Sequence, residues 1–270
     1  MKISSLVLGT LTAVSCGFSV AAIPTSAFAA SLVDVDLELS LLQDVSGSID
    51  SNEFKLLKTG YVNAFSNPDL FNNFISKGKY GKIAVNYIYW SGGSSQQETV
   101  GWTLIDSVAA SQNFANLINT ASRPFSGLTA PGSAINFATP KFFNNAFEGT
   151  RQVIDISGDG AQNNGADTAA ARDAALAAGV DTINGIVILG ESGLETFYKN
   201  KVIGGTNASG NPAFLATATG FDTFSQAITQ KLKEEIAPTP VPEPTSIIGI
   251  LGLGAFGVTT LRKRKATVKA

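Results

Sequence analysis

The chain has 270 residues, of which 27 are Gly, 21 are acidic, 19 are basic, one is Cys and none is His. The lack of His excludes a Ser-His-Asp triad, a Cys-His pair and a His-ligated zinc or haem. A single Cys excludes an intrachain disulfide, a Cys-rich zinc site and a four-Cys iron–sulfur cluster. A metal held by this chain must therefore be a hard cation bound through oxygen atoms. The hydrophobic fraction of 44% fits one globular domain.

Residues 1–30 are typical of a secretory signal peptide. Lys2 provides a short positive region, an apolar stretch follows, and Ala27 and Ala29 form the small-x-small pattern of a cleavage site. We expect cleavage just after this pattern, which would also remove Cys16. A retained anchoring helix and a lipoprotein attached through Cys16 are the alternatives that remain open.

Residues 31–236 form the predicted domain, in which strands alternate with helices. The first predicted strand is 33–42, where apolar and polar residues alternate, and residues 48–53 can cap the helix that follows. The further predicted strands are 82–90, 99–104, 151–156, 182–189 and 214–218. The further predicted helices are 106–120, 132–147 with a kink or a new turn at Pro140, 168–178, 194–202 and 221–236. This alternation indicates an α/β fold of three layers, with a mostly parallel, doubly wound sheet.

Three oxygen-rich loops follow predicted strands or precede a predicted helix. The first places Asp44, Ser46 and Ser48 at alternate positions, the second holds Thr129 among glycines, and the third holds Asp159 between two glycines. Each loop alone also fits a helix cap or an ordinary turn. Ligands of such sheets bind beyond the carboxyl ends of the strands. The three loops together therefore predict one hard-cation site with few negative charges.

These loops resemble the metal-ion-dependent adhesion site of the von Willebrand factor A fold. That family carries Asp-x-Ser-x-Ser after its first strand, Thr in a later Gly-rich loop and Asp-Gly after its fourth strand. Better-known members usually have Thr in place of Gly158, so the third loop is closer to an exported bacterial group of A-like proteins. Asp155 is a minor alternative to Asp159. The resemblance implies a divalent cation, Mg²⁺ first and otherwise Mn²⁺ or Ca²⁺, held by Asp44, Ser46, Ser48, Thr129 and Asp159.

The C-terminal residues form three successive parts of a sorting signal. Residues 237–244 are a Pro-rich linker, residues 245–261 carry no charge and are just long enough to span a bilayer, and residues 262–270 begin with a basic cluster. This order resembles the PEP-CTERM signal of bacterial exported proteins, which implies removal of the tail by an exosortase. A plain membrane anchor with a cytoplasmic tail is the alternative. The residues that carry the pattern are Pro242, Glu243, Pro244, Arg262, Lys263, Arg264 and Lys265.

Without these two ends the chain has 13 basic and 20 acidic residues, a net charge near −7. Such a surface disfavours nucleic acid and attracts cations. The resemblance implies an exported binding or adhesion module of the cell envelope or extracellular matrix, not an enzyme, whose metal grips an acidic group of a protein or polymer. The alternatives are a structural matrix component and a metal-assisted hydrolase of envelope polymers, which would need Asp50, Glu53 or Asp155 as its base.

Overall fold

The computed structural model of the chain describes residues 31–207 and 210–237. The predicted signal peptide with Ala27 and Ala29, the predicted transmembrane helix, the basic tail and all sorting-signal residues lie outside these ranges. Within the two described ranges, no helix has both the length and the apolar character needed to cross a membrane.

A seven-stranded sheet forms the centre of the domain, with the order β4-β3-β2-β6-β7 and with β8 and β9 both paired to β7. Strands β2, β3, β6, β7 and β9 are parallel, whereas β4 and β8 run antiparallel to their neighbours. A separate parallel pair joins β1 to β5. The mostly parallel sheet expected from the sequence is confirmed. The strands are β1 (Val33–Val35), β2 (Glu38–Asp44), β3 (Ile83–Trp90), β4 (Gln96–Ile105), β5 (Phe147–Gly149), β6 (Gln152–Gly158), β7 (Thr182–Ile188), β8 (Gly204–Gly205) and β9 (Leu215–Ala218).

Helices cover both faces of this sheet, which gives the three layers expected from the sequence. Helices α1, α3 and α7 enclose one apolar core, which includes Leu41, Tyr61 and Phe224. Helices α4, α5 and α6 enclose a second core, which includes Trp90 and Ile154. The helices are α1 (Ser51–Ser66), α2 (Pro68–Asn73), α3 (Val108–Thr120), α4 (Pro131–Ala138), α5 (Thr168–Ala178), α6 (Leu194–Phe197) and α7 (Phe224–Ile236).

Helix α1 begins where the sequence predicts a cap. The Asp50 carboxylate accepts hydrogen bonds from the backbone N–H groups of Asn52 and Glu53 at 2.7 and 2.9 Å. The Glu53 carboxylate in turn accepts the N–H of Asp50 at 2.7 Å. This reciprocal pairing satisfies N–H groups that a helix start leaves free. Since Phe54 and Leu57 are buried on the following turns, the cap also fixes where the loop between β2 and α1 must end.

The predicted strand 33–42 is two strands. The chain turns aside at Asp36, whose carboxylate accepts the backbone N–H groups of Tyr80 and Lys82 at 2.9 and 3.3 Å. Strand β2 then runs to Asp44 and is buried on both faces, although apolar and polar residues alternate along it. The reason is that its polar residues pair inside the protein; Glu38, for example, accepts the N–H of Gly149 at 2.8 Å.

The predicted helix 132–147 is also too long. Helix α4 ends at Ala138, and a 3₁₀ turn with Pro140 near its start continues to Phe143. Proline lacks the N–H that an α-helix needs at this point, so the regular hydrogen-bond pattern stops. Residues 147–149 belong instead to β5, which pairs with β1.

Candidate metal centre

The first loop begins at Asp44, the last residue of β2. Asp44 is fully buried, and its Oδ1 accepts the backbone N–H of Ser46 at 2.7 Å. The hydroxyl oxygens of Ser46 and Ser48 lie 3.2 Å apart. The alternate spacing of these three residues therefore places their oxygen atoms in one connected group at the carboxyl end of the strand.

Asp159 meets this first loop at the same edge of the sheet. The Ser48 hydroxyl donates to Oδ1 of Asp159 at 2.8 Å, although 111 residues separate the two in sequence. Strands β2 and β6 are parallel neighbours, with Gln43 opposite Ser157. Their carboxyl ends thus lie side by side, and so do the loops that leave them.

Thr129 joins the group from the second loop. It is 6% exposed, its N–H donates to the side chain of Asn163 at 2.8 Å, and its carbonyl accepts the N–H of Asn163 at 3.0 Å. A bond of 2.7 Å from the N–H of Gly47 to the carbonyl of Gly127 ties the first loop to the second. The three loops are therefore joined to one another. We call Asp44, Ser46, Ser48, Thr129 and Asp159, which the sequence predicts as metal ligands, the metal site.

The metal site opens into a cleft of about 400 Å³. Ser48, Thr129 and Asp159 line this cleft, whereas Asp44 and Ser46 lie buried behind them. A group entering the cleft from solvent would therefore meet the hydroxyls and the Asp159 carboxylate first.

Arg123 fixes the backbone of the first loop. Its guanidinium group donates to the carbonyl oxygens of Val45, Ser46 and Ile49 at 2.8, 2.7 and 2.9 Å. One planar cation with several N–H groups can satisfy three converging carbonyls, which a Lys ammonium would do less rigidly. No motif in the sequence marks Arg123, because it follows α3 and contacts a loop that lies more than 70 residues earlier in the chain.

No basic side chain in the described part of the chain pairs with either carboxylate of the metal site. Among the described residues, Oδ2 of Asp44 is buried without a hydrogen-bond partner, and neither Asp44 nor Asp159 takes part in an ion pair. Burial, together with the negative charge of Asp159, raises the pKa of Asp44 to about 8. Burial also raises the pKa of Asp159, against the effect of the Ser48 hydrogen bond. These carboxylates are thus poorly stabilised as anions.

This donor set fits a hard divalent cation. Two carboxylates and three hydroxyls offer only oxygen atoms, which are the ligands that Mg²⁺, Mn²⁺ and Ca²⁺ take. In the ranges that the structure covers, no three His, Cys, Asp or Glu side chains come together as a metal-binding group. A cation at this site would therefore depend on the hydroxyls and on water for the rest of its shell.

Glu191 is a further carboxylate of the cleft, and it belongs to none of the three predicted loops. It follows β7, and its Oε2 accepts the N–H of Ala161 at 3.0 Å. It lines the cleft with Asp159, and its negative charge contributes to the raised pKa of Asp159. The position of Glu191 after β7 could have indicated that it lies near Asp159, because β7 is parallel to β6 and the two strands end at the same edge of the sheet.

Three acidic residues considered from the sequence have their main contacts with other groups. Asp50 and Glu53 cap helix α1, although the negative charge of Glu53 also raises the pKa of Asp159. Asp155 lies within β6, fully buried, and its Oδ1 is 2.7 Å from Nζ of Lys231 on α7. The structure therefore brings Asp159 to the first loop and directs Asp155 to the core beneath α7.

Comparison with known families gives two matches. The profile of a family described as protein of unknown function (DUF1194) matches residues 34–240. The profile of the PEP-CTERM protein-sorting motif matches residues 240–265. No curated protein matches the chain.

Several solved structures share the fold. Proximal thread matrix protein 1 (PTMP1) from the mussel byssus is 17% identical with a TM-score of 0.53, and the match covers 76% of this chain and 46% of that one. A PTMP1 structure with a zinc-occupied MIDAS motif is 18% identical, with a TM-score of 0.53 and coverages of 76% and 47%. The pilus adhesin SpaC from Lactobacillus rhamnosus GG, in an open conformation, is 13% identical, with a TM-score of 0.52 and coverages of 76% and 31%. The chain spans less than half of these proteins, and the likeness shows a shared von Willebrand factor A-type fold.

Proposed function

The chain belongs to the DUF1194 family, and we propose that it is a metal-dependent binding module whose cation grips an acidic group of a protein or matrix partner. One observation carries this proposal. The buried Asp44 carboxylate, with its unpaired Oδ2, lies behind a cleft lined by Ser48, Thr129 and Asp159, and the protein supplies no cation to this group among its described residues. Such a site needs a cation from solvent, and the cleft gives a partner access to it.

The chain is exported to the cell envelope or surface, because residues 240–265 form a PEP-CTERM protein-sorting motif. This motif implies processing by an exosortase. We propose a signal peptide at 1–30, the binding module at 31–236, a linker at 237–244, a transmembrane helix at 245–261 and a basic tail at 262–270. The helix would hold the protein in the membrane until the tail is removed.

Mg²⁺ is the cation that we propose, with Mn²⁺ and Ca²⁺ as alternatives, and all five residues of the metal site would hold it. When bound, it would supply an electrophilic position that attracts a carboxylate oxygen of the partner. The chain's own residues prepare this position. Arg123 keeps the first loop curled, and the hydrogen bond from Ser48 holds Asp159 beside it. Five oxygen ligands from the protein would leave one position of a six-coordinate cation for an oxygen atom of the partner.

Two of the similar proteins support an adhesive role for this fold. PTMP1 is named a thread matrix protein, and one of its structures has zinc in a MIDAS motif. SpaC is named a pilus adhesin. We propose that the fold serves a comparable purpose in this chain, with the metal site as its contact point.

A metal-assisted hydrolase is the second candidate, and Glu191 is the observation that favours it. Its carboxylate lies in the cleft with Asp159, where a general base would have to be. The test is whether the chain cleaves an envelope polymer. If it does, and if Glu191→Gln abolishes cleavage while Mg²⁺ still binds, the chain is a hydrolase and not a binding module.

The test uses the purified full-length chain and beads that carry poly-glutamate or an acidic polysaccharide. We expect capture with Mg²⁺, release by EDTA and no capture by Asp44→Ala. Asp69→Ala is the matched control, since Asp69 is an exposed carboxylate in the first turn of α2. Capture that persists in EDTA or in Asp44→Ala would overturn metal-dependent binding.

A further inference from the structure

Gly158, the last residue of β6, has a crowded space beside its Cα atom. A Cβ atom placed on this glycine would lie 2.4 Å from the hydroxyl oxygen of Tyr198 and 2.9 Å from Oδ2 of Asp44. The ring of Trp90 would be 3.3 Å away. Since both oxygen atoms crowd the same point, the phenol of Tyr198 and the carboxylate of Asp44 are close neighbours.

Both of these oxygen atoms are buried and unpaired. Asp44 and Tyr198 are fully buried, and within the described part of the chain neither Oδ2 of Asp44 nor the Tyr198 hydroxyl has a hydrogen-bond partner. Buried polar atoms are nearly always paired, directly or through an ordered water. A phenol O–H is a donor and a carboxylate oxygen is an acceptor, so the two groups are complementary.

The fold makes room for the Tyr198 ring at this place. Tyr198 follows α6 at the start of a π-helical turn, Tyr198–Val202, and packs into the second apolar core. A Cβ atom on Gly185 of β7 would lie 3.3 Å from the ring, and Gly185 is opposite Ile156, two residues before Gly158. Glycines on two adjacent strands therefore form the slot that lets the phenol reach Asp44.

We propose that Tyr198 is a positioning residue of the metal centre, whose hydroxyl donates to Oδ2 of Asp44 through one buried water. The N–H of Ser46 holds Oδ1 of the same carboxylate. With both oxygen atoms held, Asp44 presents one orientation to the first loop. Gly158 is required at the end of β6, because a side chain there would displace the phenol oxygen.

The first experiment measures Mg²⁺ binding and therefore rests on the proposed function. Isothermal titration calorimetry compares Mg²⁺ binding by the full-length chain and by Tyr198→Phe. We expect about tenfold weaker binding in Tyr198→Phe, as for other groups that orient a metal ligand. Tyr89→Phe is the matched control, because Tyr89 is also a buried tyrosine with an unpaired hydroxyl, but it lies in the first apolar core. Unchanged Mg²⁺ affinity in Tyr198→Phe, with binding intact in the original chain, would overturn the positioning role.

A second experiment needs no metal and tests whether Tyr198 and Asp44 interact. Urea unfolding in EDTA is measured for the original chain, Tyr198→Phe, Asp44→Ala and the double variant. We expect the loss of stability from Tyr198→Phe to disappear once Asp44 is Ala, because the hydroxyl has then lost its acceptor. Additive losses would overturn the proposal. If the original chain binds no Mg²⁺, the proposed function fails, and this cycle still shows whether Tyr198 and Asp44 are paired.

Gly158→Ala provides a third check, in which Asp44 is left unchanged. Alone, it should lower the unfolding midpoint, because the added methyl meets the Tyr198 oxygen and, less closely, Oδ2 of Asp44. Combined with Tyr198→Phe, the same substitution should cost less, because only the contact with Asp44 remains. An equal loss in both backgrounds would contradict the geometry on which the proposal depends.

Discussion

Asp155 and Asp44 are fully buried carboxylates on two neighbouring strands, and within the described ranges the protein provides a cation only to Asp155. Asp155 on β6 is 2.7 Å from Nζ of Lys231, which is also 2.5 Å from Glu235. We call these three residues the Lys231 cluster. Asp44, at the end of the adjacent strand β2, has no ion-pair partner in the same ranges and keeps one oxygen unpaired.

The difference shows how neighbours decide what a buried aspartate does. The Lys231 cluster is paired internally: its side chains are at most 1% exposed, and Asn184 donates to Glu235 at 2.8 Å. Each group borders a cleft, Glu235 one of about 460 Å³ and Asp159 one of about 400 Å³, so the presence of an internal cation is what distinguishes them. Asp155 pairs with an internal ammonium group and so joins α7 to the sheet. Asp44 has no such partner among the described residues, so a cation from solvent can neutralise its charge.

Removal of the internal cation should have the largest effect. Lys231→Met leaves Asp155 buried without its counter-charge, so we expect the free energy of unfolding to fall by about 3–5 kcal/mol. Urea denaturation of the purified chain measures this loss. Lys233→Met, on the same helix but partly exposed, is the control and should change little. A loss from Lys231→Met no larger than that of the control would mean that the cluster contributes no stability.

The same substitution in the two groups should have opposite signs. In EDTA at pH 9, we expect Asp155→Asn to lower the free energy of unfolding by about 2 kcal/mol, because it breaks a buried ion pair. Asp44→Asn should raise it by about 1 kcal/mol, because it removes a buried charge that lacks a partner. Paired denaturation curves measure both changes. A shift in the same direction would show that the metal-free Asp44 site is already compensated.

Glu235 should make stability depend on pH. Burial and the nearby Asp155 carboxylate raise its pKa to about 8, against the effect of Lys231. This pKa is higher in the folded chain than in the unfolded one. The contribution of Glu235 to the free energy of unfolding is therefore full below about pH 4.5 and is lost as the pH rises to about 8. The other titratable groups that act on this carboxyl or its partners are Asp155, Lys231, Arg151 and Tyr61.

Between about pH 4.5 and about pH 8, the free energy of unfolding should fall by about 1 kcal/mol per pH unit. Glu235→Gln should make this dependence on pH weaker, because the amide does not titrate. Thermal unfolding in EDTA from pH 5 to 8 provides the comparison, in which the contribution of Asp44 is the same for both proteins. Parallel curves for the two proteins would show that Glu235 keeps an ordinary pKa.

The sequence predicted the elements around the metal site better than it predicted the Lys231 cluster. The capping pattern at Asp50 located α1, and hydrophobic patterning located β2 and β6, so the loops at Asp44 and Asp159 followed from the order of elements. These signals are local. The pairing of Asp155 with Lys231 joins residues far apart in the chain, and no spacing within either element indicates it.

The same limit explains the residues that were missed around the metal site. Arg123 and Tyr198 reach the site from other elements, and each acts through a contact that depends on packing. Glu191 differs, because its place after β7 could have indicated that it lies near Asp159. The sequence shows Gly158 at a position where better-known A domains usually have Thr, but it does not explain the difference. The structure explains it, because the Tyr198 hydroxyl occupies the space beside Gly158.

The sequence by itself determined the chemistry that this protein can use. With no His, and with its one Cys in the predicted signal peptide, the chain offers a metal only oxygen atoms. The tertiary structure decided where that chemistry is available, because charge pairing and burial depend on which elements pack together. Helix α7 brings Lys231 to Asp155, no element brings a cation to Asp44 within the described residues, and that difference locates the candidate metal site.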